Sequence, residues 1–431
     1  MKKVLLVIIL ILTLPIFIVL RSGRLQETDT PNDNNDSNLF TEEKGYVALN
    51  YDNVKAIWLS QYDMLPVYLE NGEQRDKSDF TQRVKEIFEN ISSLGINTVF
   101  VQVRPFGDSF YPSSVYPISS FVCGSYGKEV AYDPFAIILK EGHRLGLSVH
   151  AWINPLRAMT DNEIEKVPNS YKLKQWYNDP EKNGKYIVCV SGRWYLNPAI
   201  SDVRRLVWEG AAEIVRLYDV DGVHIDDYFY PTVDEGFDKS SFDEYRTNGG
   251  TLSLADFRRE NINCLVRELY ASIKSENQTV LFGVSPAGVM KNNYNILYAD
   301  VAKWCSSENY IDYLCPQIYF GFEHDTCAFD KLCKEFSGMI KSDNIRLIIG
   351  MTLGKAHAEF DAYAGSGQYE WRDNKDILYR QLKYTEAIEN CSGVGYFSYQ
   401  YFFDILSGEP IHLEETNKLL PLLKAIEWRR K

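Results

Sequence analysis

Short runs rich in β-branched and aromatic residues recur eight times along this chain, and the stretches between them carry helical spacing. The runs fall at 55–60 (KAIWLS), 98–103 (TVFVQV), 148–154 (SVHAWIN) and 222–228 (GVHIDDY). They continue at 280–286 (VLFGVSP), 313–319 (YLCPQIY), 345–351 (IRLIIGM) and 393–399 (GVGYFSY). Strands this apolar are covered on both faces, and strands alternating with helices form a parallel sheet. Eight is the number that closes such a sheet, so the expectation is an α/β protein, a (β/α)8 TIM barrel. The alternative, a doubly wound open sheet, lacks support because no Gly-rich phosphate turn follows the first run. Helices are expected over 80–94, 134–145, 202–218 and 254–273. Asp133-Pro134 and Ser201 supply starting signals. Long loops follow the third and fourth strands, at the barrel end where active sites are built.

The 431 residues, 45% hydrophobic and 14% aromatic, suffice for one large barrel core. A formal net charge of −13 disfavours a polyanion-wrapping surface, so no nucleic-acid partner is expected. Eight cysteines show no CxxC pair and no zinc spacing, which leaves no expected metal or cofactor and favours buried free thiols over disulfides. Residues 1–24 read as a signal anchor. Lys2 and Lys3 precede an apolar run from Val4 to Leu20, with neither a small-residue cleavage site nor a lipidation cysteine after it. Residues 25–45 form a polar linker around Thr30–Asn38, and 46–431 form the catalytic domain. The expected location is therefore outside the cell, on the outer face of the membrane or secreted.

Alternate residues of a strand share one face. Every second position near the strand ends gives Gln102 and Arg104, His150, Trp152 and Asn154, His224 and Asp226, then Gln317 and Tyr319. Polar groups on one face of four strands point to a site at the barrel mouth. Asp226-Asp227 is its chemical centre: two adjacent carboxylates cannot both ionise cheaply, so the pair supplies an acid and an anion at one pH. Arg104 is the expected counter-charge to Asp226, His224 a hydrogen-bonding neighbour, and Trp152 and Tyr228 platforms for sugar rings, with Trp194-Tyr195 as further candidates. No strand end offers a distant second carboxylate. That absence disfavours the ordinary two-carboxylate glycosidase and favours a substrate whose own 2-acetamido group attacks. Glu235, Asp238, Asp243 and Glu244, in the loop after the fourth strand, remain alternative acids.

The runs Gly95–Thr98 to Val103-Arg104-Pro105, Ala151–Pro155, Tyr195–Pro198, Asp221–Pro231, Phe282–Pro286 and Cys315–Tyr319 resemble the glycosyl-hydrolase-like family 10 domain. The resemblance implies a barrel fold and glycosidase activity. It also implies an envelope role, with peptide-free peptidoglycan glycan strands as the polysaccharide substrate. Phe320 stands where the family often has tryptophan. Two rival readings are an inactive carbohydrate-binding barrel and a hydrolase of another extracellular polysaccharide. A metal-dependent deacetylase is disfavoured, since the six histidines never show His-x3-His spacing.

Overall fold

The computed structural model describes residues 45–411 and 414–428. The anchor and nearly all of the linker lie outside the described residues. Among those described, no helix is long and apolar enough to cross a membrane. Tyr46–Lys431 is one compact unit.

Eight parallel strands close a barrel: β1 (Val54–Leu59), β2 (Thr98–Arg104), β3 (Ser148–Ile153), β4 (Gly222–Ile225), β5 (Leu281–Val284), β6 (Tyr313–Leu314), β7 (Arg346–Thr352) and β8 (Cys391–Phe397). Each overlaps one expected run. β1 pairs with both β2 and β8, which closes the ring. Eight helices pack outside: α1 (Lys77–Ser93), α2 (Pro134–Arg144), α3 (Ser201–Leu217), α4 (Leu254–Glu276), α5 (Val301–Ser306), α6 (Phe329–Met339), α7 (Ile377–Thr385) and α8 (Glu414–Ala425).

Local chemistry explains the boundaries. Asp133 caps α2 by accepting from Phe135 N at 3.0 Å, with Pro134 in the first turn. Ser201 is the first helical residue of α3 rather than its cap, a one-residue difference at a fraying end. In α1, buried Phe80, Val84, Ile87, Phe88 and Ile91 form one stripe against the strands.

The strand period sorts the core into two parts. Val99, Val101, Val149, Ile153, Val223 and Ile225 face the helices in the main cluster. Val54, Ala56, Trp58, Phe100, Trp152 and Tyr313 fill the barrel itself. Two strand glycines make room for the interior rings. A Cβ on Gly222 would lie 2.3 Å from His150 Nδ1, and one on Gly283 1.9 Å from the Tyr313 ring. The long β3–α3 connection carries a three-stranded antiparallel sheet of Arg157–Thr160, Arg193–Leu196 and Ile187–Val190. The β4–α4 connection carries a helix over Lys239–Thr247. All eight cysteines are free thiols.

The lower end of the barrel is tied by Asp221, just before β4. Its buried carboxylate accepts from Leu49 N at 2.5 Å, Val149 N at 2.7 Å and His143 Nε2 at 2.9 Å, and from the Tyr46 hydroxyl. Asp221→Ala should lower stability by about 1–3 kcal/mol, because the buried Val149 N–H and the half-buried Leu49 N–H lose their acceptor. The same bond raises the His143 pKa above 6.5. Its contribution is therefore complete below the unfolded-state value and is lost as pH rises through the raised one. Thermal melts across that window should show a declining wild-type melting temperature, and a flatter profile for the variant.

Candidate active site

At the C-terminal ends of the strands lies a cleft of about 270 Å3, lined by residues of β1–β4, β6 and β8 and their loops. A larger hollow of about 800 Å3 lies outside the barrel between α3 and α4, remote from this cleft. Asp226 and Asp227 are the carboxylates in the cleft lining among the described residues. They follow β4 directly, where the strand gives way to the loop.

Asp226 is 3% exposed, and every hydrogen bond it makes is to a donor. Its Oδ2 accepts from Trp152 Nε1 at 3.0 Å and Asn154 Nδ2 at 2.6 Å, and its Oδ1 from Tyr228 N at 3.3 Å. The support continues sideways. Asn154 Oδ1 accepts from Gln102 Nε2 at 2.7 Å, and Gln102 Oε1 accepts from Gln61 N at 2.9 Å. One directional series thus runs from the end of β1 across β2 and β3 to the carboxylate on β4. Asp227 is held more loosely, by Gln317 Nε2 at 3.2 Å, and that amide also donates to the Ser285 carbonyl at 3.0 Å. Burial pushes both carboxyls above the usual range, and the neighbouring charge of Asp227 pushes Asp226 further. The three N–H donors of Asp226 oppose that rise, and two carboxyls this close hold one proton between them more readily than they ionise together. Tyr319 lines the same cleft, its hydroxyl pushed well up by burial and by both carboxylates.

Gln102, Trp152, Asn154, Asp226, Asp227, Tyr228, Gln317 and Tyr319 therefore gather at one place, and three expected site residues do not. Arg104 points away from the cleft. The pairing steps from Gln102↔Trp152 to Arg104↔Ile153, an irregularity that puts Arg104 in the outward phase of Ile153. There it stacks 4.4 Å from the Tyr116 ring centroid, in space left by Gly210, and donates to the Val207 carbonyl at 3.5 Å. It is not the counter-charge to Asp226. His150 and His224 face inward but sit deeper, beneath the cleft lining. Trp58 Nε1 can only donate, so His224 Nε2 accepts it at 3.2 Å. His224 Nδ1–H then donates to the Tyr313 hydroxyl at 2.9 Å, and that hydroxyl donates to His150 Nδ1 at 2.9 Å. His150 Nε2–H is left for Ser148 Oγ at 3.1 Å. Both rings are neutral. Burial lowers the His150 pKa to about 4 and holds His224 well below its usual value. Trp194 packs on Tyr177 and donates to Asp161 at 2.6 Å, so it is no sugar platform; Tyr195 pairs in the small sheet opposite Arg157.

Alternation along the named strands misses other lining residues: Trp58, Ser60, Gln61, Tyr62, Arg157 and Phe397. Trp58 shares its face with Val54 and Ala56 on β1, and that placement is the signal that could have found it. Arg157 lies beyond β3 in the small sheet, where strand alternation gives no guidance. Tyr228 is 41% exposed, with its ring centroid 4.5 Å from the Arg157 guanidinium carbon.

The alternative acids fall elsewhere. Asp238 is consumed in a buried pair with Arg258 at 2.7 Å, and Asp243 pairs with Lys239 at 2.7 Å on an exposed helix. Glu244 lies 3.6 Å from Lys185, and neither it nor Glu235 lines the cleft. Among the described residues no group of three His, Cys, Asp or Glu side chains could hold a metal ion. The arrangement offers a buried carboxylate pair able to hold one proton, beside aromatic walls, a set suited to cleaving an acetal.

The family described as glycosyl hydrolase-like 10 matches residues 53–363. Glycosyl hydrolase DigH of Escherichia coli (strain K12) is 32% identical over 81% of this chain and 83% of its own length. Glycosyl hydrolase YngK of Bacillus subtilis (strain 168) is 30% identical over 80% of this chain and 68% of its own. Among solved structures, the PgaB (BpsB) glycoside hydrolase domain of Bordetella bronchiseptica aligns with a TM-score of 0.56 at 13% identity. The alignment covers 87% of this chain and 99% of that one. The catalytic domain of Paenibacillus polymyxa β-amylase aligns with a TM-score of 0.57 at 10% identity and the same coverage. At these identities the structural likeness concerns the fold.

Two outcomes follow from the hydrogen-bond geometry. Trp152→Phe keeps the ring and deletes one donor to Asp226, so the acid limb of the pH–rate profile should move up by about one unit. Nitrogen-15 spectra should show His224 as the Nδ1–H tautomer and His150 as the Nε2–H tautomer, with neither ring charged at pH 6.

Proposed function

The chain belongs to the glycosyl hydrolase-like 10 family, and on that premise we propose that it hydrolyses a 2-acetamido glycan of the cell envelope, namely peptide-free peptidoglycan strands. Glycoside hydrolysis is the activity that the family and the curated relatives support. The single observation that carries the finer reading is the carboxylate pair itself: Asp226 and Asp227 side by side, with no third carboxylate among the described residues of the cleft lining.

In the proposed reaction the acetamide carbonyl oxygen of the substrate attacks its own anomeric carbon. The bond from that carbon to the leaving oxygen breaks, and Asp227 gives the leaving oxygen its proton. Asp226, kept ionised by Trp152, Asn154 and Tyr228 N, accepts from the acetamide N–H and stabilises the positive charge that develops there. The Tyr319 hydroxyl, in the same cleft, orients the acetamide oxygen. Water then attacks the anomeric carbon, the bond between that carbon and the acetamide oxygen breaks to restore the acetamide, and the proton lost by the water returns to Asp227, so one water is consumed per bond cut. Trp152 and Tyr228 offer ring faces to the sugar. An exported protein would meet this substrate, and the apolar segment from Val4 to Leu20 supports that placement.

The test is incubation with peptide-free glycan strands and mass spectrometry of the products, for the wild type and for Asp226→Asn and Asp227→Asn. Release of reducing-end fragments carrying one added water is expected, and each variant should lose at least about a hundred-fold in rate. Strand binding without release would instead support the inactive carbohydrate-binding barrel. Anhydro products would exclude hydrolysis.

A further inference from the structure

Arg157 is the charged cleft residue that the scheme above leaves without a task. It begins the first strand of the small sheet after β3, and the Phe106 and Tyr228 ring centroids lie 4.8 and 4.5 Å from its guanidinium carbon. Two aromatic rings thus restrict how the guanidinium can turn, and they offer it no acceptor. Its Nε is buried with no hydrogen-bond partner. A buried donor of a charged group left unpaired is costly, and the guanidinium that carries it lines the cleft. Arg193 reinforces the positive character of this rim. Its guanidinium carbon lies 4.6 Å from the same Phe106 ring centroid, and it is anchored by donating to the Ala158 carbonyl at 2.7 Å. In a chain of net charge −13, two guanidinium groups converging on one ring beside the cleft form a local exception to the prevailing sign.

We propose that Arg157 recognises a free carboxylate on the glycan, so that the cleft selects strands whose sugar next to the scissile bond bears an acid group. The proposal rests on the amino-sugar reading above and deepens it. In a peptide-free strand the lactyl side group of each muramic residue ends in a carboxylate. In a peptide-bearing strand the same carbon is a neutral amide that continues into the stem. A guanidinium pairs with a carboxylate through two parallel N–H bonds, and an amide offers neither the second oxygen nor the charge. Arg157 would thereby turn the presence or absence of the peptide into a difference in affinity. The carboxylates of Asp226 and Asp227 lie in the same cleft, so the site takes an acidic sugar only where this cation offsets the repulsion.

The test compares three glycans of matched length with the full chain. They are strands with free lactyl carboxylates, the same strands with those groups converted to primary amides, and chitin oligosaccharides. Binding by calorimetry and kcat/KM by product release are measured for the wild type, Arg157→Gln and Arg157→Lys. The wild type should favour the free acid over the amide by about ten- to a hundred-fold, the range expected for losing a charge-assisted pair. Arg157→Gln should bring that ratio close to unity, Arg157→Lys should recover part of it, and added salt should weaken it in the wild type. Equal handling of acid and amide by the wild type would overturn the assignment, as would an equal loss on both substrates in Arg157→Gln. Melting curves establish whether the variants are folded; if they are not, the wild-type comparison decides alone. A preference seen in binding with no strand ever cut would remove the hydrolytic reading and leave Arg157 in its role. Cutting with no preference would do the reverse.

Discussion

A buried carboxylate needs donors, and the architecture of the cleft follows from supplying them to Asp226. An ionised group at 3% exposure is expensive unless its oxygens are satisfied. Trp152 and Asn154 meet that demand from β3, and Tyr228 N meets it from the loop after β4. Asn154 can do so only with its amide turned one way, which Gln102 fixes from β2, and Gln102 is fixed in turn by Gln61 N past the end of β1. Four consecutive strands must therefore hold their register before the carboxylate is stable where it is. Asp227, with one amide donor, is the freer partner. This asymmetry between two chemically identical neighbours is what allows them different protonation states.

Beneath the carboxylates lies a second polar layer of different character. His150, His224 and Tyr313 are enclosed by Phe100 and Trp58, and Phe100 stacks on His224 with ring centroids 4.2 Å apart. Charge is excluded there: protonating His224 would bring two N–H groups face to face at Trp58. The layer therefore supports the cleft floor as a neutral hydrogen-bonded post. It fixes the Trp58 indole, which the cleft above uses as part of its wall.

The barrel was legible in the sequence because its signal is redundant. Eight apolar β-branched runs with helical segments between them admit few other arrangements, and each observed strand falls on an expected run. The Asp226 surroundings were legible as well, since alternation along β2, β3 and β4 correctly places Gln102, Trp152 and Asp226 on one face. Alternation reports the face and not the depth, which is why His150 and His224 appear among the mouth residues while sitting a layer below. It also fails where the pleat itself is interrupted. The irregular pairing at Arg104 reverses that residue's direction, and nothing in the run TVFVQVR announces it. Arg157 escapes for a third reason: it reaches the cleft from an inserted sheet, so its position depends on the fold of the insertion rather than on the barrel period.

The series from Gln61 N through Gln102 and Asn154 to Asp226 has one direction, each of its two side-chain amides accepting on one side and donating on the other. Such an arrangement is a constraint on descent as well as on geometry. An isolated replacement of either amide strands a donor or an acceptor on both neighbours, so the two positions cannot drift separately. Lineages of this barrel should carry them as a linked pair, exchanged together or kept together. Joint variation at 102 and 154 would then mark where the cleft has been rebuilt for a different acetal.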